Sequence, residues 1–99
     1  MPEKNKSEEE IEKVRIPKQG EFLGIVEQML GANHMSIRCA DNKVRVCRIP
    51  GKIRKKVWIR EGDLVLIIPW SFQVDRGDVL WRYTKTQANW LKKQGYHNF

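Results

Sequence analysis

From Gly20 onward apolar and polar residues alternate in short runs broken by turn residues, a pattern the preceding residues lack. Phe22–Leu30 predicts a strand, and Gly24 inside it marks a bend of the kind a barrel needs to curve. Gly31–Asn33 is turn chemistry. His34–Cys39 then alternates strictly, with Met35, Ile37 and Cys39 predicted inward and His34, Ser36 and Arg38 outward. After a turn at Asp41-Asn42, Lys43–Ile49 sets Val44 and Val46 on one face and Lys43, Arg45 and Cys47 on the other. Ile49 is out of phase with the valines, which predicts a bulge or strand end there. Glu61–Asp63 predicts a turn, and the unbroken apolar run Leu64–Ile68 a buried strand that Pro69 ends. Trp70–Arg76 reads as a loop, and Asp78–Tyr83 alternates again. The signals then become helical. Thr84 with Gln87 is a capping box, Lys92 and Lys93 suit a last turn, Gly95 suits a C-terminal cap, and Ala88 and Leu91 would pack on the strands.

Five short strands with a long connection, Pro50–Gly62, between the third and fourth predict an all-β fold. The expected architecture is a five-stranded OB-fold Greek-key barrel with a short C-terminal helix and a flexible N-terminal arm. An SH3-like barrel is the main competitor, and the long connection favours the OB-fold. Residues 1–19 are expected to be the arm, 20–84 the barrel, and 85–99 the helix and a short tail. The arm is polar, mixed in charge and nearly free of large apolar groups, too poor in apolar surface to fold alone.

Charge adds a function class. The net charge is +7, yet residues 1–21 sum to −1, and Lys43–Arg60 holds eight Lys or Arg and no Asp or Glu. Such local basicity suits a polyanion. OB-folds bind oligonucleotides on the face of strands two and three. There Arg38, Arg45 and Arg48 are expected, with His34 at the end of the face. Lys52, Arg54, Lys55, Lys56 and Arg60 follow on or beside the connection. Trp58, between Val57 and Ile59, is expected to be a structural anchor that pins this connection to the barrel. Trp70 and Phe72 would either stack on bases or close the barrel mouth.

Other classes lose ground. The longest apolar run, Leu64–Trp70, is far short of the roughly 18 residues a membrane span needs, and the start has no signal-peptide pattern. A cytoplasmic protein without membrane contact is expected. Cys39 and Cys47 lack metal-ligand spacing, so free thiols filling strand positions are expected, with no metal and no cofactor. Asp63, Asp75 and Asp78 each fall where a turn is expected, leaving no clustered carboxylates for a nuclease; the expectation is no enzyme. A cold-shock-like RNA chaperone would need exposed aromatics on strands two and three, which have none. A protein–protein adaptor would bind independently of salt and RNA.

The block "RIPGKIRKKVWI", together with Met29-Leu30-Gly31, Cys39, Cys47, Tyr83, Leu91 and Gly95, resembles the translation initiation factor 1A family over roughly residues 20 to 96. The family is the archaeal and eukaryotic relative of bacterial initiation factor 1. The resemblance implies an OB-fold factor that binds the small ribosomal subunit at the decoding A site through 16S-type rRNA. It also implies promotion of initiator tRNA and mRNA assembly there. On this resemblance Gly51 allows close approach of RNA backbone, while Lys52, Arg54, Lys55 and Lys56 meet phosphates. The protein would be a monomer when free, touching the initiator tRNA complex indirectly and other initiation factors, initiation factor 5B among them. The arm lacks the strongly basic character of eukaryotic members, and the long acidic C-terminal extension of those members is not expected here. Pro50 stands where some relatives carry a basic residue. The short form resembles the archaeal members.

Overall fold

The run Leu64-Val65-Leu66-Ile67 is apolar at every position because its strand is buried on both faces. Val65 and Ile67 enter the barrel interior, whereas Leu64 and Leu66 face outward beneath the C-terminal helix. The computed structural model describes residues 14–54 and 58–97. Its elements are β1 (Phe22–Gly31), β2 (His34–Cys39), β3 (Val44–Arg48), α1 (Gly51–Arg54), β4 (Leu64–Pro69), β5 (Arg76–Arg82) and α2 (Lys85–Lys93). The strands close into a barrel in the order β1-β2-β3-β5-β4, with β4 returning to β1. Among the described residues only the β3–β5 pairing is parallel. This is the expected OB-fold topology, with α1 in the connection that separates β3 from β4.

β1 serves two neighbours, pairing with β4 over Phe22–Ile25 and with β2 from Gly24 to Gly31. That sharing demands a bend, and Gly24 supplies it. A Cβ there would stand 2.4 Å from Ile37 Cγ2 and 3.0 Å from the Arg38 carbonyl oxygen, so only glycine lets the strands cross this closely.

Two cores result. The interior one holds Val26, Met35, Ile37, Cys39, Cys47, Val65, Ile67 and Val79, closed by Ile49 and Ile59. The outer one holds Leu23, Leu64, Leu66, Tyr83 and Leu91. α2 covers it and begins and ends where the sequence signals it. The Thr84 hydroxyl accepts from Gln87 N at 3.2 Å, and Gln87 Oε1 accepts from Thr84 N at 3.1 Å. At the other end Gly95, with φ of 82°, lets its own N–H reach Lys92 O and that of Tyr96 reach Leu91 O, both at 3.0 Å.

β3 reverses one expectation. Arg45, Cys47 and Ile49 turn inward, and Val44 lies exposed on the outer face. Ile49 is in phase with the buried set, and β3 ends just before it. Residues 1–13 of the expected arm, and Lys55, Lys56 and Val57 of the connection, lie outside the described residues. Within the rest of the expected arm, Val14 packs against the outer core and the Tyr83 hydroxyl donates to the Arg15 carbonyl. A second tie, Arg15 to Glu21 at 3.7 Å, holds the same stretch.

Candidate nucleic-acid interface

The outward positions of β2 and β3 bring His34 opposite Arg48 and Arg38 opposite Val44. His34 Nδ1 donates to the Ala32 carbonyl at 2.7 Å, which places the proton of a neutral ring on Nδ1. Arg38 pairs with Glu27 at 2.8 Å, but both are solvent-accessible, so the pair is worth about 0–1 kcal/mol and a phosphate can replace the carboxylate. Arg48 is half-exposed. Its Nε lies 3.3 Å from Asp78 Oδ1, and its guanidinium sits 5.6 Å over the Trp70 ring.

Arg45 does not join them. It is 4% exposed, with Nη1 and Nη2 donating to the two oxygens of Asp41 at 2.9 and 2.7 Å and Nε to the Val74 carbonyl at 2.7 Å. Its guanidinium also lies 5.2 Å over Phe22. Strand alternation turns it inward beside Cys47, and this pairing makes burial of the charge tolerable. The expected RNA contact at Arg45 is thereby corrected to a structural clamp. Asp41 is held below the usual carboxylate range, chiefly by the hydrogen bonds from Arg45.

The connection from Pro50 to Gly62 is anchored differently from expectation. Trp58 is 80% exposed, whereas Ile59 beside it is 7% exposed and closes the interior core. Neighbouring residues on an extended segment face opposite ways, so when Ile59 takes the inward place Trp58 must turn out. The anchor is Ile59, assisted by Ile53 packing on the same core. Trp58 keeps one tie to the barrel through its carbonyl, which accepts from Arg82 Nη1 at 3.2 Å. Arg82 went unnoticed in the sequence because a lone Arg in an alternating strand reads as an exposed side chain. Lys52 and Arg60 are exposed, and a Cβ built on Gly51 would meet nothing within 4 Å, so the surface there is open.

On the loop before β5, Trp70 is half-buried and Phe72 is exposed. Trp70 Nε1 donates to Asp78 Oδ1 at 3.1 Å. Asp78, at the expected start of the fifth strand, lies in β5 and organises both Trp70 and Arg48.

Both cysteines are free and buried. Burial pushes the Cys47 thiol up to about 12 and raises that of Cys39, so neither is a ready thiolate at neutral pH. Among the described residues no group of three or more His, Cys, Asp or Glu could hold a metal ion, and no helix is long and apolar enough to cross a membrane.

The strand order and closure define the class: an OB-fold, whose second and third strands here carry His34, Arg38 and Arg48 on their outer side. A family model described as Translation initiation factor 1A / IF-1 matches residues 11–99. Translation initiation factor 1A of Methanopyrus kandleri is 58% identical over 88 residues, spanning 89% of this chain and 79% of that protein. Its counterpart in Archaeoglobus fulgidus is 55% identical over 95 residues, spanning 94% and 98%. Among solved structures, bacterial translation initiation factor 1 from the Wolbachia endosymbiont of Brugia malayi superposes with a TM-score of 0.53 at 25% identity. That match covers 69% of this chain and 82% of the other. The chain belongs to the translation initiation factor 1A family, and an archaeal origin fits the organisms of its relatives.

Proposed function

We propose that this protein is a non-catalytic, cytoplasmic initiation factor that binds the small ribosomal subunit near the decoding A site through rRNA. There it promotes assembly of initiator tRNA and mRNA, with the other initiation factors, initiation factor 5B among them, as neighbours. The observation that carries this reading is Trp58, 80% exposed on a segment whose cations have no acidic residue among them. Burying such a side chain would stabilise the fold by about 1.5–3 kcal/mol, so its exposure on the same connection as the exposed Lys52 and Arg60 suits a ring meant for a partner. Cations meeting phosphates while a ring stacks on a base is the recurrent arrangement for RNA. In this reading Lys52, Arg54, Lys55 and Lys56 meet phosphates, Gly51 admits the backbone, and His34, Arg38, Arg48 and Arg60 extend the contact. Mutual repulsion in the segment is offset once rRNA neutralises it.

The test is co-sedimentation with purified small and large subunits over a range of salt. Binding should be confined to small subunits and fall with log salt by roughly 0.7–0.9 per phosphate neutralised. Replacing Lys52, Arg54, Lys55 and Lys56 together by Ala should weaken binding and flatten that slope while the protein stays folded. Unchanged affinity and slope in the fourfold variant would leave the segment a solvated loop and sink the proposal. Binding that persists in high salt and after ribonuclease would point to a protein adaptor instead.

A further inference from the structure

Phe72 lies on the loop between β4 and β5, outside both cores, and is 81% exposed. One face of its ring is stacked on Trp70, with centroids 5.7 Å apart and planes inclined by 30°. Trp70 is itself held in place by the Nε1–Asp78 hydrogen bond at its edge and by the Arg48 guanidinium over its face. Arg48 is oriented in turn by the same Asp78 oxygen. The loop backbone is pinned by Trp70 N to Arg76 O at 2.9 Å and Arg76 N to Gln73 O at 3.0 Å. An exposed aromatic ring is thus fixed in place with one face turned to solvent.

We propose that the open face of Phe72 is a stacking platform for a single unpaired nucleobase of an RNA strand, with the half-exposed Arg48, which lies over the supporting Trp70, available to a phosphate of the same strand. This rests on the reading of the protein as an RNA binder and adds a second site, on the loop before β5, to the basic connection. Three observations select the occupant. The open face offered is that of a single ring, a match in size for one base. A guanidinium is built into its support. The loop also borders the outer face of β3, where oligonucleotides cross barrels of this class. Rigidity matters because a preset ring loses little entropy when a base stacks on it.

The test uses the full chain and a labelled single-stranded hexa-adenylate RNA, with a blunt RNA duplex as control. Phe72→Leu keeps the apolar volume and removes the π-face. It should leave thermal stability unchanged and weaken hexa-adenylate binding roughly 5- to 150-fold, the range measured for loss of one base–aromatic stack. Its salt slope should match wild type, because no phosphate contact is lost. Phe72→Trp should restore binding, and the Phe72 ring resonances of the wild-type protein should shift on titration. Three results would each overturn the proposal: binding by Phe72→Leu within twofold of wild type, equal weakening in Phe72→Trp, or an equal loss with the duplex. Failure of the ribosomal reading is seen separately, in wild-type sedimentation, since this assay contains no ribosome.

Discussion

Replacing Arg45 by Met should destabilise the protein severely and leave ribosome binding intact at temperatures where it is folded. The substitution keeps an unbranched apolar side chain but removes a guanidinium that is 4% exposed and donates to both Asp41 oxygens and to the Val74 carbonyl. Hydrogen bonds to charged groups contribute about 1.5–3 kcal/mol each, and the contact with Phe22 adds about 0.5–2 kcal/mol. These terms do not add in full, because Met refills part of the site and Asp41 is near enough to solvent to be rehydrated. The net loss is about 3 kcal/mol, a drop in thermal midpoint of roughly 12–24 °C for a domain of this size. Urea unfolding at pH 7 measures the first figure and calorimetry the second. Arg45→Lys, which keeps charge without the two-pronged geometry, should fall between the two. The pH dependence gives an independent check. Arg45 lowers the folded-state pKa of Asp41 below its unfolded value of about 3.9. The pair therefore contributes fully above that unfolded value, and its contribution fades as pH falls through the lowered folded one. Asp41→Asn should lose stability at neutral pH and show a shallower decline in acid than wild type. A midpoint within 2 °C of wild type for Arg45→Met, or a flattened salt slope in subunit binding, would refute the clamp and return Arg45 to the RNA face.

Trp58→Ala should change stability by less than about 0.5 kcal/mol yet weaken small-subunit binding, whereas Ile59→Ala should cost about 2–4 kcal/mol in urea unfolding; the reverse order would restore Trp58 as the anchor. Deleting residues 1–15 removes Val14 from the outer core and the carbonyl that accepts from the Tyr83 hydroxyl, so the thermal midpoint should fall by the equivalent of about 1–3 kcal/mol. An unchanged midpoint would make that stretch a free arm after all. Gly24→Ala should abolish cooperative unfolding or lower stability by several kcal/mol, because its Cβ would overlap Ile37 and the Arg38 carbonyl. A midpoint like that of wild type would show that β1 has room to shift.

Local signals located most elements of the barrel and the helix. Strict alternation placed β2 with the right face inward, the unbroken run at Leu64 marked a strand buried on both sides, and Thr84, Gln87 and Gly95 bracketed α2. These signals succeed because each depends on residues within a few positions of one another. The clustering of cations from Lys43 to Arg60 was equally legible, and with the family resemblance it directed attention to RNA. Which face of β3 enters the barrel was not legible, because valines on one side and an Arg with a Cys on the other give a period of two without a direction. Tertiary structure decided it: Phe22 and Val74 arrive from β1 and the loop before β5 to complete the shell that lets Arg45 be buried. The choice between Trp58 and Ile59 was settled the same way, by the closing place in the interior core that Ile59 fills. The platform at Phe72 needs Arg48 from β3 and Asp78 from β5, adjacent only because those strands pair in parallel with Arg48 opposite Asp78. Composition and spacing determined that the chain is a basic five-stranded barrel; long-range strand pairing determined which of its charges and rings remain at the surface to meet a partner.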